Sequence, residues 1–280
     1  MKNKISMRVL ILTALEDTWL LDKPILFLGD WCKLYKRKEL WSELDSKTVP
    51  YHWDNQKKIV RDYIYLKTVL EKTLLDLSKV LNSIHDVNYT SRYWRLVLGP
   101  WLYVFIPIIF DRYSCLNLAI NDYNIKEVQT YNFITIEPEL SIDYFLQSTE
   151  EDLWNQMIIT DIISLMKKGL KIKSIKNNKI TAKKNNISSR NIFKSIIIKF
   201  ISLFSKYNKI FIFNTYINYW DLIKTHIKNF QIPNLYEHII MSENLISNLN
   251  RENFKLTLKV ENEFESILVK LIVKHIPKSY

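Results

Sequence analysis

Apolar positions along this chain follow two rhythms. Arg8-Val-Leu-Ile-Leu-Thr-Ala14 and Pro24-Ile-Leu-Phe-Leu-Gly29 are short, almost unbroken apolar runs. They read as strands covered on both faces, since a half-solvated strand would alternate. Each ends in a loop rich in polar and aromatic residues: Leu15-Glu-Asp-Thr-Trp after the first, Asp30-Trp31-Cys32 after the second. Val49-Pro-Tyr-His-Trp-Asp54 repeats the arrangement in miniature, with Asp54 placed to cap the next helix. That helix is expected over Gln56 to Ile84. Ile59, Tyr63, Leu66, Val69, Leu70, Leu74, Leu77 and Leu81 recur near helical spacing there, while Lys57, Lys58, Arg61, Lys67, Glu71 and Lys72 fill the other face. A more apolar element begins at Arg92, carries no charge from Leu96 to Phe110, and is expected to stay helical to about Asn121.

The second half is patterned less sharply. Val128 to Ile136 has the β-branched and aromatic content of a strand, and Glu137-Pro138-Glu139 marks a turn. Ser148-Thr-Glu-Glu-Asp152 resembles a helix start, with the helix running to about Lys168 and stopping at Gly169. Lys171 to Ser189, rich in Lys and Asn, reads as a loop or insertion. Asn191 to Lys206 confines its polar residues to one narrow stripe. It is either a buried helix or a basic amphipathic helix lying in a membrane interface, with Lys194, Lys199 and Lys206 toward anionic lipid. A strand at Lys209 to Asn214, a helix at Trp220 to Phe230, and a helix at Glu261 to Ile276 ended by Pro277 complete the reading. The alternation predicts an α/β fold, a Rossmann-like parallel sheet flanked by helices. Residues 1–280 then form a single domain with an insertion at about 170–190.

Charge changes this picture locally. The net charge is +11, yet Ile162 to Trp220 holds thirteen Lys and Arg and no acid, leaving 27 basic and 29 acidic residues elsewhere. Any basic partner surface is therefore local. Nucleic acid is not the expected partner, because the Lys-rich segment lacks interleaved aromatics. Two cysteines, Cys32 and Cys115, allow no disulfide framework and point to a reducing compartment. The basic N-terminus is followed by an apolar run too short and too acidic for a signal peptide. The Leu96 to Phe110 run falls short of the roughly twenty residues of a membrane span and contains Gly99, Pro100 and Pro107.

Absent motifs narrow the chemistry. With Gly29, Gly99 and Gly169 as the only glycines, neither a dinucleotide fingerprint nor a phosphate-binding Walker loop can be written. No zinc-type ligand spacing, Asp-x-Asp or Gly-x-Ser-x-Gly is present, so no metal or cofactor is expected within this chain. Acid, base, Arg and Trp chemistry remains. His52 is the first candidate base and Asp30 the second, both where strands give way to loops. Arg92-Tyr-Trp-Arg-Leu-Val-Leu-Gly-Pro-Trp101 sets two guanidinium groups among indoles. Arg92 and Arg95 read as anion anchors, and Trp31, Trp53, Trp94 and Trp101 as stacking surfaces for a sugar. The same stretch also reads as a buried helix with snorkelling ends.

Leu26-Phe-Leu-Gly-Asp-Trp-Cys-Lys-Leu-Tyr35, Pro50-Tyr-His-Trp-Asp54 and Arg92 to Leu102 together resemble a family of transferases encoded in bacterial surface-polysaccharide and O-antigen loci. The resemblance covers about the first 125 residues. It implies the N-terminal, acceptor-side domain of a two-domain, GT-B-type glycosyltransferase, cytoplasmic and peripheral at the inner membrane face. It also implies a nucleotide-activated sugar donor and a carbohydrate or lipid-linked acceptor. The donor half of that family, with a Gln-His-Gly-Gly-like loop and a His-Glu pair, has no match here, so a fragment with a separately encoded C-terminal half is expected. The alternative is a non-catalytic module that docks on an anionic membrane or a partner.

Overall fold

A computed structural model of the chain describes residues 7–132, 139, 141–166, 168–176, 219–231 and 254–280. Two compact units are present, Met1–Asn177 with Ile246–Tyr280, and Asn178–Leu245.

The first unit is built on a five-stranded, wholly parallel sheet: β1 Arg8–Ile11, β2 Ile25–Phe27, β3 Ser46–Thr48, β4 Ile125–Tyr131 and β5 Lys171–Ile175. The order across the sheet is β3-β2-β1-β4-β5. β1 is central, with Leu10 opposite Leu26 on one side and Val128 on the other. This explains its sequence: a central strand has no solvent face, and β1 and β2 are buried throughout. The order reverses direction between β1 and β4, the kind of switch point beside which α/β sheets hold ligands.

Among the described residues, four α-helices lie between the strands in the chain. α1 (Gln56–His85) and α2 (Ser91–Asp122) form a long antiparallel hairpin between β3 and β4. α3 (Ile142–Thr149) and α4 (Asp152–Met166) connect β4 to β5. Asn55 caps α1 by accepting from the Lys58 amide, the position expected for Asp54 one residue earlier. Asp86, left-handed at φ 50°, ends the helix. The connections leaving β1 and β2 are loops with single 3-10 turns at Glu16–Thr18 and Asp30–Cys32, followed by Tyr35–Leu40.

Several boundaries differ from the pattern-based reading. β3 is three polar residues, Ser46–Thr48, just ahead of the extended piece expected from Val49. It is an edge strand whose hydrogen bonds to β2, not its hydrophobicity, hold it in the sheet. Lys171–Ile175 is a strand rather than the start of a loop, because it completes the ladder on β4. Ser148 lies in the last turn of α3 instead of heading a helix; the new helix starts at Asp152. α2 continues through Pro100 and Pro107. It is the one described helix long and apolar enough to cross a membrane, yet half of the qualifying stretch is buried within the protein and its inner face carries core residues from Trp94 to Ala119. The strand expected at Lys209 to Asn214 and the helix at Asn191 to Lys206 lie outside the described residues.

α5 (Tyr219–Lys228) is the described helix of the second unit, and Phe230 follows it with φ at 52°. α6 (Glu263–His275) returns to the first unit, packing on α2 and α4. Asn262 caps it by accepting from the Glu265 amide. Asp76 of α1 accepts from both the amide and the hydroxyl of Thr257, each at 2.7 Å. At the other end Asp161 of α4 accepts from Lys274 at 2.7 Å and pairs with His275 at 3.1 Å.

β4 also carries a pH-sensitive contact. Hydrogen bonds from Lys173 and Lys23 hold the Glu127 carboxyl down at about 2. Its folded pKa is below the unfolded value of about 4.3, so its contribution is present above that value and lost as pH falls towards 2. Glu127→Gln should lower the urea midpoint at neutral pH, with the gap to wild type closing across that acid window. A gap that persists in acid would assign the loss to packing instead.

Candidate functional site

At the carboxyl ends of β1, β2 and β3, the loops and the α1–α2 hairpin assemble one hydrogen-bonded cluster. Gly29, in extended backbone, is needed for close packing and not for a turn. The Trp31 indole folds back over it, and a Cβ there would meet the ring at 2.1 Å. Trp31 is fastened by its Nε1–H to the Leu12 carbonyl at 3.0 Å, just past β1. Across its ring lies the Arg112 guanidinium, 4.7 Å from the ring centroid. Arg112 also donates to Asn155 Oδ1 from Nε at 3.3 Å and Nη2 at 2.9 Å, and to its neighbour Asp111 through Nη1. Asn155 sits in the first turn of α4, so the guanidinium ties α2, α4 and the β2 loop together.

Asp111 is the centre of the cluster and is buried. Besides Arg112 it bonds to His52 Nε2 at 3.0 Å and to the Tyr51 hydroxyl. Burial alone would raise its pKa. The bond to His52 and the charge of Arg112 outweigh this and hold the carboxyl below its ordinary value. Burial and the adjoining carboxylate push the Tyr51 hydroxyl up, so it is a neutral donor. His52 Nδ1 lies 3.0 Å from Lys58 Nζ. An ammonium has only donors, so Nδ1 accepts and Nε2 carries the hydrogen shared with Asp111. Lys58 in turn pairs with Asp62, which also accepts from Trp53 Nε1 at 3.0 Å. The line Asp62, Lys58, His52, Asp111, Arg112 thus alternates acceptors and donors with its charges balanced.

His52, Asp111 and Cys115 bring possible ligand atoms within 4.8 Å of one another. Two cations already occupy this group, Lys58 on His52 and Arg112 on Asp111. Burial raises the Cys115 thiol to about 12, keeping it protonated. The trio suits an internal hydrogen-bond network better than a cation. Cys32 is likewise raised to about 12 by burial and faces the Ile11 carbonyl, which removes it as a nucleophile.

The sequence-derived candidates separate. His52, Trp53 and Trp31 enter the cluster, but as supports. Both His52 nitrogens are engaged and its ring is buried, so it is no open base here. One face of Trp31 is covered by Arg112, and Trp53 packs on His52 at 4.5 Å and on Phe110 at 6.2 Å. Asp30 is exposed in the same loop and pairs with Lys33 at 2.8 Å. Arg92, Trp94, Arg95 and Trp101 are elsewhere. Nineteen residues of α2 separate Arg92 from Asp111, about 28 Å along a helix. Arg95 spends its fork on Glu71, at 2.6 and 2.5 Å. Trp94 is buried and bonds Asn82 at 2.8 Å; Trp101 is fully buried against Phe105 at 4.7 Å. Neither indole can offer a face to a ligand. Lys194, Lys199 and Lys206 lie outside the described residues.

Sequence reasoning missed Asp111, Arg112, Tyr51, Lys58 and Asn155. A signal existed for the first two: an adjacent acid and base closing a fifteen-residue uncharged run. For Asn155 there was none.

Among known proteins, no curated sequence and no solved structure matches this chain. A family model described as LIC12162 family transferase matches residues 8–280, from β1 through α6 to the last residue, and so extends well beyond the three N-terminal blocks. On that match the chain belongs to the LIC12162 family of transferases.

Proposed function

We propose that this transferase moves a sugar from a nucleotide-activated donor to a carbohydrate or lipid-linked acceptor, in the assembly of a bacterial surface polysaccharide. The observation that carries the reading is the stacking of Arg112 on Trp31 beside the buried Asp111, at the carboxyl edge of a parallel sheet. Three of the five guanidinium N–H groups have partners among the described residues; the other two are held in a fixed plane. A rigid fork of that kind suits a phosphate oxygen. In the reaction the acceptor oxygen attacks the anomeric carbon, the bond from that carbon to the diphosphate oxygen breaks, and the leaving diphosphate takes the electron pair. Arg112 would stabilise the charge that collects there. The acceptor proton leaves to solvent or to the departing phosphate. His52 and Asp111 are positioning residues in this scheme, and Tyr51, 41% exposed as a residue, is the aromatic at the mouth.

Titration calorimetry with uridine and guanosine diphosphates and inorganic diphosphate tests the reading. Arg112→Ala is expected to weaken binding about tenfold to a hundredfold, the worth of charge-assisted hydrogen bonds of about 1.5–3 kcal/mol. Arg112→Lys, which keeps charge but not the fork, should fall between, and Arg92→Ala should bind as wild type. Equal binding by wild type and both Arg112 variants would overturn the assignment, as would loss in Arg92→Ala alone.

A further inference from the structure

The first three turns of α1 use one side to build the cluster, through Lys58 and Asp62. Their other side leaves large apolar side chains in solvent: Ile59 is 43% exposed, Val60 57%, Tyr63 66% and Ile64 61%. At 3.6 residues per turn these four fall within an arc of roughly 140°. Lys67 lies inside the arc, with Lys57 and Arg61 along one rim, all three exposed. The single acid of these turns, Asp62, is buried and held by Lys58 and Trp53, with Arg61 Nε at 4.0 Å from its other oxygen while the Arg61 side chain stays 75% exposed. The exposed residues of 56–68 therefore combine four apolar side chains with three cations and no anion.

A solvated helix face does not gather four adjacent exposed apolar groups, and such a patch on a soluble surface marks a contact. The charge selects the partner. A cationic rim around an apolar arc matches a surface that is negative in its outer layer and apolar beneath it. We propose that this face of α1 docks on an anionic lipid surface. Ile59, Val60, Tyr63 and Ile64 enter the boundary between headgroups and acyl chains, and Lys57, Arg61 and Lys67 extend their ammonium and guanidinium ends to lipid phosphates. Tyrosine is suited to that layer, its ring apolar and its hydroxyl wet. The cap of α1 follows His52 by three residues, so docking brings Tyr51 and the cluster mouth close to the lipid plane. The inference stands on exposure and charge alone and is independent of the sugar-transfer reading.

Co-sedimentation of the full chain with phosphatidylcholine vesicles, with and without phosphatidylglycerol, is the test. Wild type should pellet only with phosphatidylglycerol present. Lys57→Glu/Arg61→Glu should reduce partitioning by at least about thirtyfold, the product of two cations worth about 1 kcal/mol each near an anionic surface. Tyr63→Ser/Ile64→Ser should reduce it about tenfold or more, and thermal melts of both variants should match wild type because all four positions are exposed. Lys194→Glu/Lys199→Glu/Lys206→Glu should still bind. The proposal is overturned if wild type does not pellet, or if the α1 variants pellet normally while the Lys194 triple variant does not. It is equally overturned if light scattering shows a wild-type dimer that Tyr63→Ser/Ile64→Ser converts to monomer without any vesicle binding.

Discussion

Asp111→Ala is expected to destabilise the first unit by about 3–5 kcal/mol, read as a fall in the urea midpoint at unchanged slope. The carboxylate is buried and takes hydrogen bonds from His52, Arg112 and Tyr51. Deleting it strands a guanidinium and an imidazole N–H without their acceptor, and removing one partner of a buried charged set costs about that much. Asp111→Asn should cost less. Its amide oxygen still accepts, but its NH₂ group must point at another donor. The loss is also pH-dependent. Because the folded pKa lies below the unfolded value of about 3.9, the stabilisation is complete above that value and disappears as pH falls below it. A cost under about 1 kcal/mol for Asp111→Ala would show that water readily replaces the carboxylate, and the cluster would then lose its claim to be a preorganised site.

Trp101→Ala is the second large effect, again about 3–5 kcal/mol, by cavity formation in the middle of α2. The indole is fully buried, stacked on Phe105 and set edge-on to Phe145, which in turn meets Trp154 of α4. Its deletion empties the contact between α2, α3 and α4. Arg92→Ala, in the same sequence block, should change stability by no more than about 0.5 kcal/mol, since that side chain is exposed. Thermal melts of the two variants therefore split the block into a core part and a surface part. If Trp101→Ala melts like wild type and Arg92→Ala does not, the burial pattern of α2 is wrong.

The contrast shows why the Arg92 to Trp101 stretch misled. Arg and Trp are versatile residues, and composition cannot say whether an indole faces a ligand or a phenylalanine. Helical periodicity could have helped, because Trp94, Leu98, Trp101 and Phe105 share a face; their burial follows from that spacing and the partner helix. Arg95 could not be resolved the same way. Its pairing depends on Glu71, twenty-four residues earlier and across the hairpin. The exposed face at Ile59, Val60, Tyr63 and Ile64 was hidden for a similar reason: Ile59 and Tyr63 look like core positions until α1 is seen to bury Leu66, Leu70 and Leu74 instead.

What the sequence determined by itself is the class of fold. Two short apolar runs had to become covered parallel strands, because any other placement exposes their continuous hydrophobic surface, and long periodic segments had to become helices for the same reason. The site was decided only by tertiary structure. Asp111 and Arg112 come from mid-chain, Asn155 from forty-three residues further on, and His52 and Trp31 from loops far upstream. Hydrophobic burial acts locally enough to leave a periodic trace in the chain. A hydrogen bond between buried polar groups needs only that its partners meet at about 3 Å in the folded protein, and that condition leaves no spacing to read.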